Sequence, residues 1–189
     1  MSRQALKALE DITTDEAFWL EQRAEMTGVS LLVFKELYME AAQALAEAQA
    51  YPFDFEAINT AADRFIAGYT DAWWRGLEKT TREGLRTAIA TARTEGLGVE
   101  YVLKQVEPLF GAQRAERIAV SETTELIGAG AQESMRQAGV DGWDWSTVND
   151  PAVCDPCLDM ERGSPYPMSQ SFHRAHVSCR CAPSPRMMG

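Results

Sequence analysis

Histidine is almost absent from this chain. There are two in 189 residues, and both fall, with all four cysteines, inside the last 36. Chemistry that needs an imidazole is therefore excluded from the first 150 residues. Basic side chains are in the minority, with 18 Lys and Arg against 28 Asp and Glu, for a formal charge of -10. Surfaces that grip nucleic acid over their whole extent are basic, so that class is excluded, although a local basic patch is not. Long apolar runs are missing as well. The longest, Val29 to Phe34, is broken by Ser30 and falls far short of the roughly 20 residues that span a bilayer. The first 20 residues hold no secretory-type apolar run, so no membrane association is expected, and folding in a cytoplasm is. Glycine-rich phosphate loops and dinucleotide fingerprints are absent. What remains is ordinary for a globular protein, 46% apolar and 24% charged, and long enough to bury a core without covalent staples.

The periodicity is helical over most of the chain. Thr13 to Glu16 reads as a capping box that opens a short helix to about Met26, with Gly28 as a break and Ser30 as the next cap. Leu31, Phe34, Tyr38, Ala41, Leu45 and Ala48 then recur at three- and four-residue steps, until Tyr51-Pro52 ends the pattern. Asp54 opens a long stripe that reaches Ala92. Gly68, Gly76 and Gly84 weaken it by about 1 kcal/mol each relative to alanine, and a kink or break near Gly76 is expected. A short helix covers Val99 to Leu109, and another runs over 112–138 to Gly139. Residues 140–189 differ in texture, with six of the eight prolines and one alternating segment, 142–148, that reads as a strand. Trp73, Trp74, Trp143 and Trp145 read as core or interface anchors. The expectation is a mainly α protein: an elongated body of long amphipathic helices over 1–110, the part expected to dock a partner, then a C-terminal module over 111–189. That module comprises helix 112–138 and a small irregular or β tail over 140–189, resembling a zinc knuckle.

The tail carries the chemistry. Zinc takes about four soft or borderline ligands in a tetrahedron. Cys154 and Cys157 form one pair, and His176-x-x-Cys179 forms a second at the same spacing. Cys181 and His173 are spare candidates, and the sequence leaves open whether Cys181 replaces His176. The expected role is structural, since a short tail poor in large apolar side chains gains from a metal cross-link. Three other readings stand beside it: disulfides, inert free thiols, and a dithiol redox pair. The last wants a βαβ context and a helix starting just after the first cysteine. No catalytic residue is assigned.

Glu122 falls on the apolar line Ile118, Glu122, Leu126, Ala129. A buried carboxylate needs a partner. Arg180, between two cysteines, or backbone amides of the cysteine loop are the expected donors, so that Glu122 and Arg180 or the loop clamp the tail to the helix; a solvated Glu122 is the alternative. Residues 162–189 hold four arginines and no acid, a mild basic patch that could touch DNA phosphates or be an ordinary solvated tail.

The order of these features resembles a known family. Arg114-Ala115-Glu116-Arg117-Ile118-Ala119-Val120-Ser121-Glu122, a helix with Gly128 or Gly130, Gly142-Trp143, Asp150-x-x-Val153-Cys154-x-x-Cys157 and His176-x-x-Cys179-Arg180-Cys181 are similar to the Mu F-like minor head proteins of tailed bacteriophages, the phage head-morphogenesis family. The likeness spans about residues 80–182. Ser121 stands where the family usually has Thr, Ala152 where it has Arg, and His176-Val177-Ser178-Cys179 where it has His-Pro-Asn-Cys. The resemblance implies a structural and assembly component of the virion or procapsid, made in a bacterial host and in some cases prophage-encoded, without an enzymatic activity of its own. It also implies the portal protein, other head proteins and packaged DNA as partners. Two further readings remain: a zinc-dependent DNA-binding module, and a metal-dependent hydrolase or nuclease using Glu122.

Overall fold

The computed structural model describes residues 3–148 and 150–186. Helices dominate: α1 Arg3–Thr14, α2 Glu16–Gln49, α3 Phe55–Glu95, α4 Val99–Phe110 and α5 Ala112–Gln137. After them come β1 Gly142–Ser146, α6 Asp155–Arg162, β2 Tyr166–Pro167 and β3 Ala182–Arg186. The fold is mainly α with a small C-terminal tail. No helix among the described residues is long and apolar enough to cross a membrane. The chain forms two compact units, Met1–Leu31 with Ala67–Ala115, and Leu32–Ile66 with Glu116–Gly189.

In the first unit, α1 and α4 pack on α3. Leu85, Ala88, Ile89, Ala92 and Val102 make a buried cluster, with Leu6, Leu9 and Val106 against it. The junction of α1 and α2 differs from the expected capping box. Thr13 is buried at the end of α1 with its hydroxyl donating back to the Glu10 carbonyl (2.8 Å). Asp15 is the cap instead, its Oδ1 accepting from the Phe18 amide (3.1 Å), the arrangement that satisfies an orphan donor of a first helical turn. Arg82 and Arg86 of α3 both donate to the Thr13 carbonyl, at 3.1 and 3.0 Å. Arg82 also lies over the Trp19 ring, 5.2 Å from its centroid, a cation–π contact.

Neither Gly28 nor Gly76 interrupts its helix, contrary to expectation. Ser30 is inside α2 and not at a cap; its hydroxyl donates to the Met26 carbonyl (2.7 Å), which satisfies it within the helix. Gly84 has a packing reason: a β-carbon there would sit 2.6 Å from Cδ1 of Leu109 on α4.

In the second unit, Asp54 caps α3 by accepting from the Ala57 amide (3.0 Å). The close approach of α5 to α2 depends on Gly130, where a β-carbon would lie 2.1 Å from the Tyr38 carbonyl oxygen. Gly139 ends α5 at φ +72, and the Val140 amide donates back to the Met135 carbonyl (3.0 Å), a glycine C-terminal stop. The tail then builds an antiparallel sheet in the order β2-β1-β3. Trp143 pairs with Pro185, and Trp145 with Pro183. Prolines lack an N–H and are confined to sheet edges, which suits both flanking strands. Trp143, Trp145, Phe172 and Met135 are fully buried. Trp145 stacks on Phe172 (centroids 5.0 Å apart), and Trp143 stacks on Tyr166 (4.7 Å).

Candidate metal centre

Cys154 is the N-cap residue of α6, with extended φ/ψ, and Pro156 sits in the first turn, where the missing N–H costs nothing. The Cys157 amide donates to the Cys154 carbonyl (3.0 Å). The two sulfurs are thus carried by one turn of helix. The sequence set aside a dithiol reading partly for want of a helix starting just after Cys154, and α6 supplies that start. The parallel βαβ context is absent among the described residues, where every strand pairing is antiparallel.

The opposing donors come from the segment before β3. His176 and Cys179 flank a tight turn in which the Cys179 amide donates to the His176 carbonyl (3.3 Å), and Ser178 takes a left-handed φ of 61. His176 Nε2 lies 3.2 Å from both Cys154 Sγ and Cys157 Sγ. Cys157 Sγ lies 3.8 Å from Cys179 Sγ, close to the spacing of about 3.8 Å expected of two thiolates bound tetrahedrally to one zinc at about 2.3 Å. Cys154, Cys157 and His176 form one group whose donor atoms lie within 4.8 Å of one another, and Cys157, Cys179 and Cys181 form a second. Cys157 belongs to both. All four cysteines are free thiols.

The donor set fits a soft or borderline metal ion. Burial pushes the Cys157 thiol well up, and hydrogen bonds from Cys181, Cys154 and Cys179 act in the same sense. Burial likewise raises Cys181, while the Trp145 indole N–H beside it acts the other way. Among the described residues that buried N–H has no nitrogen or oxygen partner; a thiolate at Cys181 would accept from it. Several sulfurs packed in a dry core hold their protons until a cation replaces them, so the cluster could hold a metal ion. His176 Nδ1 is paired with the Val177 carbonyl (2.7 Å), which orients Nε2 toward the sulfurs, as outer partners of metal-bound imidazoles do.

His173, the spare imidazole, is placed elsewhere. Its Nδ1 is 2.6 Å from Glu125 Oε1, and its side chain is largely exposed. Arg180 likewise does not reach the expected clamp position: it pairs with Asp150 at 2.8 Å, and Arg174 is the cation beside Glu122, at 3.5 Å. The physical reason is the direction of the chain. Arg180 lies between Cys179 and Cys181, both buried in the core, so its side chain leaves on the other side. Glu122 itself is buried.

The attachment of the tail to α5 runs through Ser121, already named in the family motif, and through residues that the sequence did not single out. Glu125 Oε2 accepts from the Arg174 amide (2.9 Å). Ser121 Oγ accepts from the Ser178 amide (2.8 Å), and Thr124 donates its hydroxyl proton to the Cys179 carbonyl. Gln132 donates to the Gln170 carbonyl (2.8 Å) and accepts from the Phe172 amide (2.9 Å). Ser121, Glu125 and Gln132 recur at four and seven residues, one polar line on an otherwise buried helix face; that spacing was the available signal.

Residues 83–184 match the family described as phage Mu protein F like protein. The match covers more than half of the 189 residues. The chain belongs to the phage Mu protein F-like family. The matched span takes in α5, β1, β2, the first part of β3 and every residue of the Cys/His cluster. Membership makes the chain a phage head-morphogenesis protein, a class whose role is structural and whose partners are other phage head proteins. No curated protein and no solved structure matches it.

Proposed function

We propose that this protein is a minor head component that joins the procapsid at the portal vertex and remains in the virion, and that a zinc ion fixes its C-terminal tail. The ligands are Cys154, Cys157, His176 and Cys179. The observation that carries the reading is the convergence on Cys157 of donors from two separate segments, the first turn of α6 and the loop before β3. A zinc ion there supplies a cross-link and no reaction. Around it, Ser121, Thr124, Glu125 and Gln132 of α5 fasten the backbone of the loop. The product is a rigid tail, and catalysis has no place in it. Exposed apolar side chains on α2, among them Leu20, Val29 and Leu32, suit docking of a helix into a groove of a helical partner.

A DNA-binding reading would rest on the four arginines of 162–189. Arg162 faces Asp159, Arg174 faces Glu122 and Glu125, Arg180 faces Asp150, and Arg186 faces Asp144. Charges neutralised within the chain release few counterions from DNA, so assembly is favoured over DNA contact.

Elemental analysis of the purified protein, paired with co-purification on the portal protein of the same phage, tests the reading. One equivalent of zinc and a stable portal complex are expected. A metal-free protein with its tail folded removes the zinc, and failure to bind portal beside salt-sensitive DNA retention removes the assembly role.

A further inference from the structure

The second unit contains a cleft away from the cysteines. Its volume is about 350 Å³, at the small end of ligand-sized clefts. Tyr38, Phe65, Ala129 and Phe172 supply apolar walls, and Arg64 and Arg136 line it as well.

Two features mark it as more than a packing gap. Tyr38 is 3% exposed, yet among the described residues its hydroxyl has no hydrogen-bond partner. Burial, then the Glu133 carboxylate, push this phenol up, so the group is a neutral hydroxyl with a proton to donate. The hydroxyl itself keeps some access to solvent, on a ring that forms part of the cleft wall. Arg64 is the second feature. Its hydrogen bond goes to Thr60 of its own helix at 3.4 Å, and no described carboxylate pairs with it. Arg136, by contrast, is paired with Glu133. The cleft therefore joins an aromatic, apolar interior to an uncompensated cation and an unused hydroxyl donor, in a chain whose formal charge is -10.

We infer that this cleft takes an aromatic side chain with an adjoining carboxylate, presented by an acidic segment of a partner protein. The ring packs against Phe65, Ala129 and Phe172, and the carboxylate accepts from Tyr38 and pairs with Arg64. Arg fits carboxylates well, and an aromatic anchor in a small pocket is the usual centre of a protein interface. The cleft shares no candidate ligand with the metal cluster, but its Phe172 wall belongs to the same core as Cys157 and Cys179, so the metal-loaded protein is the one to titrate.

N-acetylphenylalanine is the smallest probe with the required chemistry, and its primary amide is the control without charge. Titrations of the intact protein followed by NMR are expected to move the Ala129 methyl and Tyr38 ring signals saturably with the acid, and to show the amide binding about tenfold more weakly, equivalent to about 1.4 kcal/mol. Arg64→Gln, at an exposed position, should bring the acid down to the level of the amide. Tyr38→Phe, which keeps the ring, should weaken the acid several-fold and leave the amide unchanged. Equal binding of acid and amide, or no saturable shift with either, overturns the inference. Tighter binding of phenyl phosphate than of the carboxylate reassigns the cleft to phosphorylated ligands and overturns it too.

Discussion

Glu125 is buried, and its two oxygens take the Arg174 amide and His173 Nδ1, with the Arg174 guanidinium at 3.9 Å. Hydrogen bonds to a charged acceptor contribute about 1.5–3 kcal/mol, and removing one partner of a buried charge pair strands the other. Glu125→Ala is therefore expected to destabilise the protein by about 3 kcal/mol, read from denaturant midpoints at unchanged slope. Glu122→Ala is expected to cost less, because Arg174 keeps Glu125 as a partner. Equal, sub-kilocalorie effects of both changes would mean that α5 does not hold the loop. At the cluster, Cys157→Ser should abolish metal binding, since both donor groups share this sulfur, whereas Cys181→Ser should keep one equivalent. Metal content by elemental analysis decides, and metal retained in Cys157→Ser would break the ligand assignment. The grouping of Cys154, Cys157, His176 and Cys179 was legible in the sequence because two pairs at Cys-x-x-Cys-like spacing can be brought together by one returning loop. The partner of Glu122 was not, because helical periodicity places a side chain on a face without saying which loop residue lies opposite.

Among the helices, glycine has two opposite meanings. Gly130 lies where a β-carbon would come within 2.1 Å of the backbone oxygen of Tyr38, and at Gly128 it would meet the buried Phe172 ring at 2.2 Å. Backbone cannot yield as a flexible side chain can, so Gly130→Ala should separate α5 from α2 and cost about 2–3 kcal/mol despite the gain in helix propensity, as overpacking does. Gly28 has nothing within 4 Å of the same position, and Gly28→Ala should stabilise α2 by up to about 1 kcal/mol. Thermal melts of the two variants should shift in opposite directions; a stabilised Gly130→Ala would disprove the close crossing. The same distinction explains how far the sequence could be read. Long helices and the Gly139 stop follow from period and capping, but a lone glycine weighs about 1 kcal/mol, too little to break a 34-residue helix that tertiary packing supports. Helix α6 was hidden because Pro156 reads as a breaker, although proline in a first turn followed by helix formers is equally a start signal.

Across the whole chain, the Cys/His cluster and the helical core of the first unit are segregated. Every donor of the cluster falls in one compact unit, while the cluster of Leu85, Ile89, Ala92 and Val102 belongs to the other. Structural zinc sites carry binding free energies of about 10 kcal/mol or more, comparable with the whole stability of a typical domain. The tail has a three-stranded sheet of short strands, β2 being two residues long, so a bound metal would add substantially to its stability. Chelation at neutral pH should therefore abolish amide-exchange protection over residues 142–186 while amides of α3 and α4 near Ile89 and Val102 keep theirs, because local opening follows the contacts that each region owns. Hydrogen exchange followed by mass spectrometry, on metal-loaded and chelator-treated protein, reads both regions in one experiment. Protection lost uniformly along the chain would make the metal a linchpin of the entire fold, and protection retained in the tail would show that the aromatic stack of Trp143, Trp145 and Phe172 suffices by itself. The intermediate outcome is expected because the stack packs directly on Cys157 and Cys179: removing a bound ion would leave these sulfurs to reprotonate inside the core that the aromatic rings need in order to close.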